Sequence, residues 1–354
     1  MMGIHSGDAG AAECAGAQAV RRAVIDIGTN SVRLLVADVA PGGTPERGPV
    51  RLMPVRRDLA TTRLGRGVDR RGRLSAAAMN DTLDAAAAFA NEARRLGAEH
   101  IAVVGTSALR DAANRDAFID MARRRAGLEV RVLSGREEAA LAFLGAVRGT
   151  AAAGAGPAAP DGGMVFVLDV GGGSTELILG TAGGAVHGAH SVDVGAVRVT
   201  ELCVHSDPIS LSDWALLLTA VEARLQPLWD ALEAQGPPPA REARLVAVGG
   251  TATTLAAMHQ RLEVYDPDRV HGYTLSRADV EAVIAVLRPL TVAQRRALPG
   301  LHPQRADIIL AGAVIVLQVM AGLGARKLTV SESDLLEGVL LQGALVDPHG
   351  NPGL

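Results

Sequence analysis

Two short stretches of the chain set an acid, glycines and small hydroxyl or amide side chains at one spacing: Asp169-Val-Gly-Gly-Gly-Ser-Thr-Glu176 and Asp26-Ile-Gly-Thr-Asn-Ser-Val-Arg33. Glycine lets a backbone approach a ligand closely, so that several N–H groups can converge on one anion. Ser174, Thr175, Thr29 and Asn30 supply short donors beside them. A single loop of this kind could equally be a plain hairpin turn. Each loop, however, carries an acid, Asp26 or Asp169, that would repel bound phosphate unless a cation stood between them. That conflict points to a bridging Mg2+, with Mn2+ as a substitute.

The loops belong to a longer repeat. The first lies over the second without a gap at an offset of 143 residues, from Asp26 to Asp169. A second pair follows, IAVVGTSALRDAA and LVAVGGTATTLAA, in which Gly105-Thr106 falls on Gly250-Thr251 at an offset of 145. Two matches in the same order at nearly equal offsets imply a duplicated domain.

The elements that would position these loops alternate. Strand-like runs at Val24–Ile27 and Val32–Val39 precede a loop at PGGTPERG and a third run from Val50. A helix over Ala76–Leu96, a strand at Ile101–Val104, a helix from Ser107, a strand at Val130–Leu133 and a helix over Arg136–Val147 complete the first half. The second half repeats this order, adds helical material between Leu275 and Gly324, and ends in a strand, Lys327–Val330, and a closing helix, SDLLEGVLL. The expectation is an α/β fold with a mixed sheet in each half and a cleft between the halves, where glycine turns at strand ends place anionic ligands. The predicted divisions are a disordered tail over residues 1–20, a first domain over 21–148, a Pro/Gly-rich linker over 149–163 and a second domain over 164–346.

Composition narrows the function. A length of 354 residues suits two domains, and a net charge of −3 with 2% aromatic residues argues against a dedicated nucleic-acid binder. Cys14 and Cys203 are too few and too far apart for a disulfide or metal framework. The N-terminus lacks the pattern of a signal peptide. The apolar run Ile308–Ala325 is interrupted by Gln318 and glycines and reads as a buried core helix, so no membrane association is expected. These features predict a cytoplasmic protein. Lys327 is the only lysine, and its setting, ARKLTVS, cannot be a Walker phosphate loop.

LSGREEAALAF holds adjacent acids with different prospects. Ser134 followed three positions later by Glu137 is a capping box, which gives Glu137 a local structural task. Glu138 has none, and it points about 100° away around the helix. By itself it could be a solvated glutamate favoured by the helix dipole.

Together, VIDIGTNSVRLLV, GTSALRDAANR, LSGREEAALAF, VLDVGGGSTELILG and VAVGGTATTLAA resemble the exopolyphosphatase and guanosine pentaphosphate phosphohydrolase (Ppx/GppA) family, of the actin-like, sugar-kinase-like superfold. DRVHGYTL, LHPQRADIILAGA and LTVSESDLLEGVLL extend the resemblance over about residues 21 to 345. The resemblance implies a duplicated actin-like, two-domain architecture. It makes Glu138 the general base that activates water, and Asp169 and Glu176 acids that hold Mg2+ or orient the water; the charge conflict at the first loop makes Asp26 a further metal ligand. Asn30, Thr106, Ser107, Gly171, Gly172, Ser174, Gly250 and Thr251 match phosphate-loop positions. Arg33 and Arg110 could grip phosphate as forks or sit in ion pairs. His271 is expected to order a loop. The arginines between Arg56 and Arg73 either guide a polyanion or form a solvated basic loop.

The implied activity is release of terminal phosphate from linear polyphosphate. Hydrolysis of guanosine pentaphosphate is the alternative within the family, and an actin-like kinase or ATPase, or a non-catalytic sensor, the alternatives outside it. The chain resembles the family's short members without a C-terminal HD-type domain, from which a preference for short polyphosphate is expected. A homodimer is expected from the resemblance and from the apolar run Ile308–Ala325.

Overall fold

The apolar runs around the two acidic loops form the centres of two sheets. In the computed structural model, the residues described are 19–40, 50–152, 163–234 and 243–346. Cys14, all but the last residues of the predicted N-terminal tail, and most of the predicted linker lie outside them. The first sheet contains β1 (Val20–Ile27), β2 (Ser31–Ala40), β3 (Arg51–Thr61), β4 (His100–Gly105) and β5 (Val130–Val132), in the order β3-β2-β1-β4-β5. The second contains β6 (Met164–Val170), β7 (Thr175–Thr181), β8 (Val186–Val192), β9 (Arg244–Val248), β10 (Thr274–Ser276) and β11 (Lys327–Val330), in the order β10-β11-β9-β6-β7-β8.

Setting β10 aside, the two orders are the same. Each sheet opens with an antiparallel three-strand meander, β1-β2-β3 or β6-β7-β8, and continues through parallel strands, β4-β5 or β9-β11. The duplication predicted from the sequence is therefore repeated in the topology. The edge strand β10, antiparallel to β11, is an addition of the second half. Ile25, Ile27, Leu34 and Val36 on one face of the β1-β2 hairpin, and Val24, Leu35 and Ala37 on the other, are all buried. Both faces of the sheet are therefore covered, and its central strands read as nearly continuous apolar runs.

What covers those faces departs from the order of the chain. The helix Gly135–Ala152 follows the first sheet in sequence, yet Ala139, Phe143, Ala146 and Val147 pack against Val165, Val167 and Ile178 of the second. The closing helix Leu335–Val346 comes last, yet Leu335, Leu336, Val339 and Leu340 pack against Val24, Leu35 and Ala37 of the first. The halves thus exchange one helix each, and the two helices touch where glycines allow it. A Cβ at Gly338 would stand 1.9 Å from the carbonyl oxygen of Leu141, and one at Gly145 at 1.9 Å from that of Asp334.

One further expectation meets a different structure. The helix predicted from Ser107 is broken, running over Ser107–Asp111 and resuming at Arg115–Ala126, whereas its counterpart Gly249–His259 is continuous. The apolar run forms the expected core helix, Ile309–Gly322, ten of whose fourteen residues are buried within the second half's own core. Its apolar surface is consumed by the chain itself and lends no support to a dimer.

Candidate active site

Each hairpin places its aspartate at the last-but-one residue of a central strand, just before the glycine turn. The turns share one hydrogen bond: Gly28 N–H donates to the Ser31 carbonyl at 3.0 Å, and Gly171 N–H to the Ser174 carbonyl at 3.0 Å. The pairing register then sets Asp26 opposite Arg33 and Asp169 opposite Glu176. The duplicated position is thus a cation in one hairpin and an acid in the other. In the first, Arg33 Nε and Nη2 donate to Asp26 Oδ2 at 2.9 and 2.8 Å, and its Nη1 donates to Asp334.

Among the described residues, no arginine is bonded to the acids of the second hairpin. Burial, reinforced by nearby Asp334 and only partly offset by Arg33, pushes the Asp169 carboxyl up to about 8. Burial, then the neighbouring Glu138 and Asp169, pushes Glu176 well above the usual carboxylate range. Glu176 accepts a hydrogen bond from the Ser191 hydroxyl at 2.7 Å.

Between the halves lies a narrow cleft of about 80 Å3, walled by the glycine turns of both hairpins. The structure brings most of the predicted site residues to its wall: Asp26, Asn30, Arg33, Thr106, Ser107, Glu138, Asp169, Gly171, Gly172, Ser174, Gly250 and Thr251. Arg110 and Glu176 stand behind that wall. Asn30 Nδ2 and Ser107 Oγ are buried donors with no hydrogen-bond partner among the described residues, which fits anionic oxygens. Thr251 is spent differently, since its hydroxyl donates to the Val170 carbonyl at 2.8 Å and holds the second loop in place.

The two glutamates of LSGREEAALAF separate as their spacing predicted. Glu137 Oε2 accepts from Ser134 N–H at 2.8 Å while Glu137 N–H donates to Ser134 Oγ at 3.2 Å, a complete capping box. These bonds and Arg131 hold its carboxyl down to about 2. Glu138 is buried beside the cleft, where Arg110 Nη1 donates to it at 2.5 Å and to the Leu133 carbonyl at 3.1 Å. Arg110 is thereby an orienting partner of Glu138. Burial raises the Glu138 carboxyl above its ordinary value despite that partner.

Glu137→Ala is expected to lower stability by about 1 kcal/mol with activity largely kept, whereas Glu137→Gln retains much of the cap. A carboxyl held at about 2 contributes in full above its ordinary value of 4.5 and loses that contribution as pH falls towards 2. Melting curves from neutral to acid pH should therefore converge for wild type and Glu137→Ala. Curves that stay apart at the acid end would contradict the cap.

Two site residues carried no local signal in the sequence. Arg305 ends a single 3-10 turn, Pro303–Arg305, and its guanidinium lies against Gly250, where a Cβ would come within 2.1 Å of Nη2. Burial, then Arg33, lowers its pKa to about 10, as suits a cation waiting for an anion. The other is Asp334, the second partner of Arg33. Three arginines of the basic stretch are engaged in ion pairs: Arg56 with Asp58, Arg57 with Glu337, and Arg63 with Asp307 across the cleft at 2.6 Å. His271 Nδ1 accepts from Glu332 N–H at 3.1 Å, which ties down the loop before the closing helix.

Among the described residues, no three His, Cys, Asp or Glu side chains converge closely enough to hold a metal by themselves. Asp26, Asp169 and Glu176 therefore do not form a finished cage. Mg2+ ordinarily takes only one or two carboxylates and completes its shell with waters and substrate phosphates. Asp26 Oδ1, a buried acceptor without a partner among the described residues, and Asp169, a cleft-wall acid whose raised carboxyl a cation would ionise, fit that smaller set.

Fold and cleft together define a two-lobed α/β protein of the actin-like superfold with a cleft suited to phosphate oxygens. The chain belongs to the Ppx/GppA phosphatase family, whose model matches residues 35–346. It is 40% identical over 331 residues to the exopolyphosphatase 2 of Mycobacterium tuberculosis, covering 91% of this chain and 98% of that one. It is 27% identical to the guanosine-5'-triphosphate,3'-diphosphate pyrophosphatase of Vibrio atlanticus, over 90% of this chain and 58% of that one. The crystal structure of an exopolyphosphatase from Cytophaga hutchinsonii superposes with a TM-score of 0.77 at 27% identity, covering 93% of this chain and 98% of that one.

Proposed function

We propose that the protein is an exopolyphosphatase that releases terminal orthophosphate from linear polyphosphate by attack of water. The observation that carries this reading is a buried acid, Glu138, beside a cleft with two unpartnered donors, Asn30 Nδ2 and Ser107 Oγ. Those donors, the glycine turns and the Arg305 guanidinium hold the oxygens of the terminal phosphates. Glu138, oriented by Arg110, takes the proton of the attacking water. Asp26 and Asp169 would hold Mg2+, which when bound would neutralise the charge of the phosphate oxygens beside them. Glu176, behind the wall, acts on the electrostatics of Glu138 and Asp169. The protein works in the cytoplasm, and a homodimer rests on the family resemblance alone.

A second reading is hydrolysis of the 5′ terminal phosphate of guanosine pentaphosphate, which the Vibrio atlanticus relative favours by its name. Phosphate release measured side by side on short polyphosphate, long polyphosphate, guanosine pentaphosphate and ATP separates these. The highest specificity constant is expected for polyphosphate. Guanosine pentaphosphate as the best substrate would replace the first reading with the second. Fastest turnover of ATP would point to an actin-like ATPase, and tight binding without release to a sensor.

A further inference from the structure

Asp334 belongs to neither phosphate hairpin, yet it reaches the same ion pairs. It is buried, 4% exposed, just before the closing helix. Its Oδ1 accepts from Leu336 N–H at 3.0 Å, and its own N–H donates to Glu337 Oε2 at 2.8 Å. The helix start therefore fixes its carboxylate from below. Its remaining oxygen, Oδ2, accepts from Arg33 Nη1. Because the closing helix comes from the second half of the chain, the row Asp334–Arg33–Asp26 ties that half to the first hairpin.

The arrangement decides which oxygen of Asp26 is left over. Arg33 spends Nε and Nη2 on the single oxygen Oδ2 of Asp26, at 2.9 and 2.8 Å. A guanidinium beside a carboxylate ordinarily prefers to engage both oxygens in a parallel fork. Here Asp334 holds the third nitrogen, so the guanidinium cannot turn to do so. Asp26 Oδ1 consequently stays in the cleft wall, buried and without a hydrogen-bond partner.

We propose that Asp334 is a positioning residue: by holding Arg33 on one side, it keeps Asp26 Oδ1 open to a divalent cation. The proposal rests on the reading above that Asp26 is a cation ligand. Without Asp334, Arg33 rotates onto both oxygens of Asp26 and competes with the cation for Oδ1.

The test is Mn2+ binding to the full-length protein, measured from the electron paramagnetic resonance signal of unbound Mn2+, alone and with inorganic phosphate. Asp334→Asn keeps the side chain's size and its acceptor for Leu336 N–H but removes the charge that holds Arg33. It is expected to weaken Mn2+ binding about tenfold, the scale of one charge-assisted contact. In an Arg33→Met background the same substitution should change binding less than about twofold, because its effect passes through the arginine. Equal weakening in both backgrounds would mean that Asp334 acts by its charge across space, and would overturn the proposal. A wild type that binds Mn2+ and an Asp334→Asn protein that binds it equally well would overturn the proposal alone. A wild type that binds none, with or without phosphate, would remove the cation reading of Asp26 and the proposal with it. Should Asp334→Asn fail to fold by circular dichroism, Asp334→Glu replaces it, with an expected weakening about half as large on a logarithmic scale. A purely structural role would move the melting temperature and leave the Mn2+ affinity of the folded fraction unchanged.

Discussion

Glu138→Gln is expected to slow phosphate release by roughly 10²–10⁴-fold while leaving the melting temperature and KM close to those of the wild type. Glutamine keeps the size and helix propensity of glutamate and can still accept a hydrogen bond from Arg110. What it lacks is a site that can take a proton from water. The surroundings of Glu138 suit that task, since burial lifts its carboxyl while Arg110, itself held by the Leu133 carbonyl, fixes its orientation. Its neighbour Glu137 is held in the opposite direction, down to about 2, by Ser134 and Arg131, and a group so acidic is a poor base. Single-turnover kinetics on polyphosphate, with melting curves of the same preparations, make the comparison. If Glu137→Gln abolishes turnover and Glu138→Gln does not, the capping role and the base have been assigned to the wrong residues.

That division between adjacent glutamates was legible in the sequence because it depends on local spacing. A serine three residues before an acid specifies the cap wherever the helix packs. The duplicated hairpins were legible for a related reason: identical turns need the same residues at the same offsets, and the bonds from Gly28 to Ser31 and from Gly171 to Ser174 repeat at that offset. The contrast between Arg33 and Glu176 could also be read from the alignment of the two stretches. Its consequence could not, because the partner that completes the Arg33 arrangement, Asp334, lies 301 residues away. Arg305 was hidden in the same way. Nothing in LHPQRADIILAGA marks an arginine whose side chain lies over Gly250, a contact made only after the helical addition folds back onto the second sheet. The exchange of helices between the halves was likewise invisible, since an apolar face states that a helix is buried but not against which sheet. Gly145 and Gly338 were the available trace, as two glycines inside helices where alanine would otherwise be preferred.

Removal of divalent cations is expected to cut phosphate release by at least about 10²-fold, because the phosphate charge then loses its counter-ion and Asp169 keeps its proton up to about pH 8. The first hairpin balances Asp26 and Asp334 with Arg33, but Asp169, Glu176 and Glu138 share only what Arg110 and Arg33 leave to them. The balance has a thermal signature that does not depend on turnover. Asp169 titrates at about 8 in the folded protein, above its ordinary value, so the folded state holds an extra proton between those values. Its contribution to stability is complete below the ordinary carboxylate range and is lost as pH rises through about 8. A cation at Asp169 favours the ionised form and restores what is lost. The rise in melting temperature on adding Mg2+ to chelator-treated protein should therefore be larger at about pH 8.5 than at about pH 6. Undiminished phosphate release after exhaustive chelation would remove the cation from the mechanism. Full activity loss on chelation, with a Mg2+ shift in melting temperature that is the same at both pH values, would keep the cation but move it away from Asp169.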